Sequence, residues 1–409
     1  MPTAMVLGTG GVGSVIGQKL NTYDCFDKVI LADRDTTFAR SLQEKTKKNK
    51  FEVCQVNATD VKELAEFMKE KKVDVTLNAC NSIVNFSVLE ACSIAGSHYI
   101  DMAADIYSPS GAKKSGKNSY EAEIDRFHQP FLDKNIAGII CMGVDPGAVN
   151  VFARWAMDRL DTATSIRILD ADNGDVKGYR FAVLFSPETF FEELGAVPYF
   201  VKDGQVTSGR PLETEVEWIR FPDPIGLVKT YAVAHEEGVS LGIYPPFVKK
   251  GVRYSVFKYS LSDKVYNIAK SLSLLGLDSW KKVKVDGVEV APVRVAAANL
   301  PKPAQLGATV DGHSCVGAEV RGMKNGVPVE YFIYTMDSHR ETFDKYGYSL
   351  TVVQTGIPPA VTAKLLVTGV IKERGVMMPE ALVPDAIMDE FAKEGLNIYV
   401  EKRESKKWD

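Results

Sequence analysis

The fold of the chain is decided near its start, where residues 4–13 read AMVLGTGGVG. Ala4–Leu7 is a short apolar run that predicts a buried strand, and the next residues match the pattern G-x-G-x-x-G at Gly8, Gly10 and Gly13. Apolar residues at helical spacing follow this turn. A strand, a glycine-rich turn and a helix in this order are typical of a dinucleotide-binding unit.

The glycines of this turn each meet a physical requirement. Gly8 permits the tight turn, Gly10 lets the backbone approach a pyrophosphate, and Gly13 allows the helix to pack closely on the strand. The helix N-terminus adds amide donors and the positive end of its dipole, which favour an anion. The pattern therefore predicts that a cofactor is bound by Gly8, Gly10, Gly11, Val12 and Gly13.

Three polar residues near strand ends complete the predicted cofactor site. Asp33 follows Gly13 by 20 residues, at the end of the second predicted strand. A carboxylate there accepts hydrogen bonds from ribose hydroxyls and repels a 2′-phosphate, which favours NAD. Arg34 can hold such a phosphate, so NADP is the alternative. Asn78, after the fourth predicted strand, is expected near the nicotinamide ribose.

Strand and helix signals alternate over residues 1–147. The strands are predicted at 4–7, 29–32, 52–56, 73–77, 98–100 and 137–142, and the helices at 12–20, 37–47, 61–70, 87–95 and 120–134. This alternation predicts an α/β fold, a Rossmann doubly wound parallel sheet that binds ligands at the carboxyl ends of its strands. We expect an NAD(P)-binding domain over residues 1–147.

The pattern changes after residue 147 to β-rich segments separated by Pro- and Gly-rich loops. Examples are Ser165–Asp170 and Glu330–Met336, and helical segments lie near residues 261–274 and 357–370. We expect residues 148–355 to form an α+β substrate domain with an antiparallel sheet, and residues 356–409 to pack back on the Rossmann domain.

One basic stretch resembles a phosphate-binding loop without matching it. Residues 111–118 read GAKKSGKN, which ends in Asn where a P-loop needs Ser or Thr and does not follow a strand. A solvated basic loop is the better interpretation, and residues 113–118 are predicted to be a mobile lid.

The composition excludes several classes of protein. The 409 residues are 45% hydrophobic and 25% charged, which is typical of a globular chain with two or three domains of about 150 residues each. A net charge of −4 without a long Lys or Arg run argues against a nucleic-acid or membrane partner. No apolar run reaches the ~18 residues of a membrane span. Six cysteines without a C-x-x-C pair predict reduced thiols and a cytoplasmic chain.

The chain resembles the saccharopine dehydrogenase family of NAD(P)-dependent oxidoreductases over nearly its whole length. The resemblance includes the glycine turn, LNAC at 77–80, YID at 99–101 and GVDPG at 143–147. The second domain is most similar to that of carboxynorspermidine (carboxyspermidine) dehydrogenases, through DADNGD at 170–175, FSPE at 185–188, HEE at 235–237, YTMDSH at 334–339 and TGIP at 355–358. The segment EALVP at 380–384 is more similar to lysine 6-dehydrogenase.

The resemblance implies an enzyme that transfers a hydride at a C–N bond, by imine reduction or amine oxidation. The implied substrate is a small molecule, an amino acid or a carboxylated polyamine, and the implied assembly is a homodimer. Lysine 6-dehydrogenase and saccharopine reductase activities are alternatives within the family. An NAD-binding sensor without turnover is the alternative from another class.

The expected chemistry requires acidic groups and a proton donor. An iminium is cationic, so carboxylates stabilise it, and one acid–base group moves a proton. The candidate catalytic carboxylates are Asp101 and Asp145, which follow the fifth and sixth predicted strands. His235 suits deprotonation of an amine, with Glu236 to bind it, and His339 is a candidate proton shuttle.

The remaining candidates are basic residues for a carboxylate and acidic residues for an amine. Arg180 and Arg340 are the candidate carboxylate clamps. Glu237 extends the acidic stretch after His235, and such a local cluster is needed because the net charge of −4 is too small to attract a polyamine by itself. No metal site is expected, because no second His or Cys lies at ligand spacing.

Overall fold

The computed structural model describes residues 1–47, 50–104, 119–303 and 306–404, which form two compact units. The first unit consists of Met1–Arg154 and Val352–Leu396, and the second of Trp155–Thr351 and the chain from Asn397 onward. The basic loop at 111–118 and the lid predicted within it lie outside the described residues.

The first unit contains a seven-stranded parallel sheet in the order β19-β6-β5-β4-β1-β2-β3. The strands are β1 Thr3–Leu7, β2 Lys28–Asp33, β3 Phe51–Gln55, β4 Val75–Asn78, β5 His98–Asp101, β6 Ala137–Ile139 and β19 Gly375–Met377. All five residues of β1 are buried, as expected for a central strand covered on both faces. This sheet confirms the predicted Rossmann architecture and its first six strands. The three residues of β19 were too few to predict.

The helices of the first unit follow the predicted alternation. They are α1 Gly11–Thr22, α2 Thr37–Lys45, α3 Val61–Lys71, α4 Asn85–Ala95, α5 Ser119–Asp133 and α14 Pro384–Lys393, together with parts of α6 Ala148–Arg159 and α13 Leu350–Val367. In α3 the Asp60 carboxylate accepts a hydrogen bond from the Glu63 N–H at 3.0 Å, which caps the N-terminus. Leu64 and Met68 on the same face are buried in the core.

Helix α13 has the length and composition of a membrane span, with a mean hydropathy of 1.3 over its 18 residues, but 72% of it is buried inside the fold. Gly356 of α13 lies so close to α1 that an added Cβ would be 2.7 Å from the Val15 side chain. A helix packed in this way serves as a core helix of the first unit.

The second unit is built on a nine-stranded sheet whose main order is β10-β9-β13-β7-β17-β18-β20, with β12 also beside β13 and β11 beside β12. Its strands are β7 Thr162–Asp172, β9 Tyr199–Lys202, β10 Gln205–Ser208, β11 Glu217–Arg220, β12 Leu227–Ala232, β13 Tyr254–Ser260, β17 His313–Lys324, β18 Val327–Ser338 and β20 Ile398–Glu404. Short pairs are formed by β8 Asp175–Val176 with β16 Val310–Asp311, and by β14 Val283–Val285 with β15 Val288–Val290. The helices wholly inside this unit are α7 Pro187–Gly195, α8 Glu237–Ile243, α9 Pro245–Lys249, α10 Asp263–Leu274, α11 Pro292–Ala298 and α12 His339–Tyr346.

The second sheet is mixed, which corrects the expectation of an antiparallel sheet in one respect. Strands β7 and β13 are parallel, while the other pairs described in this sheet are antiparallel. A parallel pair requires a long crossover, and residues 173–253 supply it with helices α7 to α9. The composition of this segment could not show which strands it joins.

The C-terminal segment is divided between the two units. Residues 356–409 were predicted to pack on the Rossmann domain, and those up to Leu396 belong to the first unit. Ile398–Glu404 instead form β20 and pair antiparallel with β18, so the expectation is corrected for these residues. Tyr399 of β20 stacks on Tyr334 of β18 with ring centroids 5.2 Å apart, an aromatic pair that fixes the register.

Candidate functional site

Two of the glycines in the turn after β1 are required by packing. Gly8 has φ = +90°, and an added Cβ would lie 2.8 Å from the backbone of Ala79. A Cβ on Gly13 would lie 1.9 Å from the Gly8 carbonyl oxygen. These contacts hold the turn against the start of α1 and the segment after β4.

Gly10 is exposed and has a different environment. An added Cβ would meet no atom of the described residues within 4 Å. Gly10 is also the N-cap of α1, and no side chain of the described chain caps this helix. The first turn, which includes Gly11, Val12 and Gly13, carries no acidic residue. Free space beside uncapped amide donors fits a pyrophosphate, so these residues fit a dinucleotide cofactor.

The Asp33 carboxylate is fixed beside this turn. Its Oδ2 accepts hydrogen bonds from the N–H and the hydroxyl of Thr9, at 2.6 and 3.0 Å. Its Oδ1 accepts one from the Asp35 N–H at 3.1 Å. The following Arg34 side chain is exposed. A negative charge is therefore held at the end of β2, with an exposed positive charge next to it.

Asn78 and Asp101 lie in a buried hydrogen-bond network under the carboxyl edge of the sheet. The Asn78 amide donates to Asn85 Oδ1 at 2.9 Å and to the Tyr99 hydroxyl at 3.1 Å. The Tyr99 hydroxyl donates to Asp101 Oδ2 at 2.7 Å, and Asp101 Oδ1 accepts from the Cys141 N–H at 2.6 Å. Burial and then the Asp101 charge raise the pKa of Tyr99 well above its usual value, so the phenol stays a donor. The network ties together the ends of β4, β5 and β6.

Sequence reasoning missed Tyr99 and Asn85 as site residues because neither stands at the end of a predicted strand. The alternation of β5 placed Tyr99 in the core, where its polar end needs a partner. That requirement is a signal that could have pointed to Asp101, two residues further along the same face of the strand.

Asp145 is half-buried in the turn between β6 and α6. The turn is fixed by Asn150, whose Oδ1 accepts from the Gly147 N–H at 2.9 Å. The Asn150 amide donates in turn to Glu380 Oε2 at 2.9 Å. Asp145 therefore stands on a rigid turn at the carboxyl end of the sheet.

The second unit brings four ionisable residues together around the start of α8. The His235 Nδ1 lies 2.8 Å from Glu237 Oε2 and 3.8 Å from Glu236 Oε2, and its Nε2 lies 3.8 Å from Glu193 Oε1. The imidazole stacks on the Phe257 ring with centroids 4.0 Å apart and planes 13° from parallel. We name these four residues, Glu193, His235, Glu236 and Glu237, the acidic cluster.

Two opposing effects act on the pKa of His235. Burial of the ring favours its neutral form, but the charges of Glu237, Glu193 and Glu236 and the hydrogen bond to Glu237 outweigh burial. The pKa of His235 is therefore raised well above its usual value, and the ring is an imidazolium at neutral pH. His235 thus begins as a proton donor. The predicted role as a base for an amine requires it to lose this proton first.

The other predicted residues of the second unit do not share a partner. His339 is buried at the start of α12, and its Nε2 lies 3.0 Å from Asp172 Oδ2. Arg340 forms an ion pair with Asp311 at 3.3 Å. Arg180 is exposed. Glu193, which was not predicted, belongs to α7 and precedes His235 by 42 residues, so nothing in the sequence links the two.

Two models of known protein families match the sequence of this chain. The saccharopine dehydrogenase NADP binding domain matches residues 4–134, and the saccharopine dehydrogenase C-terminal domain matches residues 143–396. The chain belongs to the saccharopine dehydrogenase family. It is therefore a nicotinamide-dependent oxidoreductase that acts on C–N bonds, which confirms the predicted enzyme class and cofactor type.

Relatives with curated names are similar over almost the full chain. Carboxynorspermidine synthase of Vibrio cholerae is 30% identical over 95% of this chain and 94% of its own length. The Vibrio alginolyticus enzyme of the same name is 29% identical over 97% and 96%, respectively. Carboxyaminopropylagmatine dehydrogenase of Synechocystis sp. is 27% identical over 97% and 96%.

A solved structure shares the fold of the whole chain. Saccharopine dehydrogenase (L-Glu forming) from Saccharomyces cerevisiae superposes with a TM-score of 0.72 over 99% of this chain and 100% of that chain, at 14% sequence identity. At this identity the likeness concerns the fold alone. It agrees with the predicted α/β fold class.

Proposed function

We propose that this chain reduces the imine formed between a carboxylated amino aldehyde and an amine, as in the formation of carboxynorspermidine. The near-full-length similarity to two carboxynorspermidine synthases and a carboxyaminopropylagmatine dehydrogenase carries this proposal. The glycine turn with a free helix N-terminus and the acidic cluster support it, because the reaction needs a nicotinamide cofactor and a cationic substrate.

The names of the relatives describe the bond that the reaction forms. A carboxyaminopropyl group on an amine nitrogen results when the imine of 2-amino-4-oxobutanoate is reduced. The amine partner is 1,3-diaminopropane for carboxynorspermidine and agmatine for carboxyaminopropylagmatine. A bound nicotinamide supplies the hydride for such a reduction. The protein residues hold the substrate, stabilise the iminium charge and supply a proton.

For the cofactor, we assign the pyrophosphate to the backbone amides at Gly10, Gly11, Val12 and Gly13. Asp33 is assigned to the adenosine ribose, with NAD as the preferred cofactor. The exposed Arg34 side chain keeps NADP as the alternative, because a guanidinium beside a 2′-phosphate offsets the repulsion from Asp33.

Among the predicted catalytic residues, we assign iminium stabilisation to Asp145, which stands half-buried on a rigid turn. Asp101 is assigned a positioning role instead, because it is 1% exposed and both oxygens bind the chain itself. We assign Asn78 the same positioning role. The buried His339 ring forms a contact with the Asp172 carboxylate. Arg180 is the better candidate for the substrate carboxylate, since Arg340 is engaged by Asp311.

We propose that the enzyme is a cytoplasmic homodimer. No disulfide joins the six cysteines, all of which lie among the described residues, and this suits a reducing compartment. The dimer follows from the family resemblance. Sedimentation of the purified protein at several concentrations gives its mass, and a monomer at all of them would contradict the dimer.

The proposed reaction is tested by following nicotinamide absorbance. Purified protein is mixed with NADH or NADPH, 2-amino-4-oxobutanoate and either 1,3-diaminopropane, putrescine or agmatine. Oxidation that requires both the aldehyde and the amine is expected, with the matching carboxyaminopropyl amine as product by mass spectrometry. Turnover of L-lysine or saccharopine with NAD⁺ instead would favour the lysine 6-dehydrogenase or saccharopine reductase alternatives. Cofactor binding without turnover of any of these compounds would favour a sensor.

A further inference from the structure

The acidic cluster contains a buried carboxylate oxygen that lacks a partner. Glu237 is fully buried, and its Oε2 accepts from His235. Its Oε1 has no hydrogen-bond partner among the residues that the structure describes. A buried, unpaired carboxylate oxygen is destabilising, so it indicates a group that binds there when substrate is present.

The exposure of the cluster decreases toward this oxygen. The Glu193 side chain is 21% exposed, that of Glu236 is 6% exposed, and that of Glu237 is fully buried. The three carboxylates therefore range from the partly exposed Glu193 to the fully buried Glu237.

The net negative charge of the acidic cluster favours binding of a cation. Three carboxylates and one imidazolium give a net charge of −3 + 1 = −2. One ammonium group reduces this to −1 and gives N–H donors to Glu237 Oε1 and to Glu236. The Phe257 ring holds the imidazole in place, so the carboxylates keep their positions when the ligand arrives.

The geometry favours an ammonium over a divalent metal ion. Ligand atoms of His235, Glu236 and Glu237 all lie within 4.8 Å of one another, which a metal site also requires. A histidine ligand, however, must offer a lone pair from a neutral ring. Both ring nitrogens of His235 face carboxylates, at 2.8 and 3.8 Å, which favours a proton over a free lone pair at each of them.

We infer that Glu237, Glu236 and Glu193 bind the free primary ammonium group of a diamine substrate, the group at the end opposite the reacting nitrogen. The inference rests on the proposed function and adds the reason why a diamine is chosen over a monoamine. A monoamine of equal length leaves Glu237 Oε1 unpaired, which is the usual basis for rejecting a substrate that lacks one polar group.

The test compares 1,3-diaminopropane with n-propylamine at saturating cofactor and 2-amino-4-oxobutanoate. The two amines form the same C=N bond with the aldehyde, but only the imine of the diamine carries a second ammonium. We expect the wild-type kcat/KM to be about 10- to 100-fold higher for the diamine, the range of one charge-assisted hydrogen bond. Glu237→Gln removes the charge at constant shape and should lower the diamine preference at least about tenfold, through a higher KM for the diamine.

Two variants accompany this measurement. Glu193→Gln, at the more exposed edge, should reduce the diamine preference less, and it replaces Glu237→Gln if that variant does not fold by circular dichroism. Glu289→Gln, on the exposed strand β15 of the same unit, should have no effect.

The outcomes separate the inference from the proposed function. Equal turnover of both amines by the wild-type enzyme, or an unchanged preference in Glu237→Gln, would overturn the inference and leave the proposed function standing. Loss of activity with a chelator, restored by Zn²⁺ or Mn²⁺ in the wild type only, would make the cluster a metal site and also overturn it. Absence of turnover with every amine would reject both.

Discussion

Gly10 and Gly13 are three residues apart in one turn but meet different requirements. Gly13 has no room for a side chain, because its Cβ would lie 1.9 Å from the Gly8 carbonyl oxygen. Gly10 has room in the described structure, since no atom there lies within 4 Å of its Cβ position. Packing therefore explains Gly13, whereas packing does not explain Gly10, which we assign to the cofactor pyrophosphate.

This difference predicts opposite results for two alanine variants. Gly13→Ala should lower the free energy of unfolding by about 1–3 kcal/mol, because the turn must move to accept the methyl group. The free energy of unfolding of Gly10→Ala should lie within about 0.5 kcal/mol of the wild-type value. Its Kd for the nicotinamide cofactor should nevertheless rise about tenfold or more, a cost of about 1.4 kcal/mol. Thermal unfolding and a fluorescence titration with NADH measure both. An unchanged Kd in Gly10→Ala would contradict the assignment of the cofactor pyrophosphate to this turn.

Asp33 is the residue that we assign to the adenosine ribose. Its carboxylate is held by Thr9 and Asp35, so it cannot turn away from a 2′-phosphate without losing three hydrogen bonds. We expect Asp33→Ser to raise the ratio of kcat/KM for NADPH over NADH by about tenfold or more, since the variant removes a repulsion of at least 1.4 kcal/mol and retains Arg34. Asp35→Asn, an exposed neighbour, is the control and should leave the ratio unchanged. A wild-type enzyme that already prefers NADPH would contradict the assignment of NAD.

Among the elements of the first unit, strands β5 and β6 are joined by a side chain as well as by the backbone. The His98 Nδ1 accepts a hydrogen bond from the Ala137 N–H at 2.9 Å. Burial, followed by the charge of Arg374, lowers the pKa of His98 to about 4, and Asp74 opposes this shift only weakly. The neutral ring is therefore part of the folded sheet.

The depressed pKa predicts how stability depends on pH. An unfolded histidine titrates near 6.5, so below this pH the unfolded chain binds a proton that folded His98 does not. The contribution of His98 is fully present above pH 6.5 and is lost as the pH falls toward 4, up to about 3 kcal/mol. His98→Gln should make the melting temperature less dependent on pH between pH 6.5 and 4. His313→Gln, in the other sheet, should leave this dependence as in the wild type. An equally steep profile in both variants would refute this assignment.

The elements show what the sequence could and could not predict. Strands β1 to β6 and their helices were predictable because each apolar run is bounded by turns and alternates with a helical period. The β17–β18 hairpin carries its signal in Asn325-Gly326, whose positive φ values suit a two-residue turn. The parallel pairing of β7 with β13 had no such signal, because it depends on contacts between residues about 90 positions apart. For the same reason, Glu193 could not be joined to His235.

At the scale of the whole molecule, the chain order and the two units do not coincide. The first unit is completed only by Val352–Leu396, after the chain has formed most of the second. The second unit is completed later still, by β20. Each unit therefore depends on chain-distant segments, and pairings of this kind form late and slowly in folding.

The last strand gives a test of this interdependence. A chain that stops at Leu396 loses β20 and the Tyr399–Tyr334 stack, and it exposes the edge of β18. We expect the melting transition of the second unit to fall by about 5 °C or more, with aggregation through the open edge, since unpaired edge strands template association. NADH binding should persist, because the glycine turn and Asp33 belong to the first unit. A chain that stops at Glu404 keeps the whole of β20 and is the matched control. If the shorter chain melted like the control and stayed monodisperse in light scattering, β20 would contribute little to the second unit; if it lost NADH binding as well, the two units would not be independent in stability.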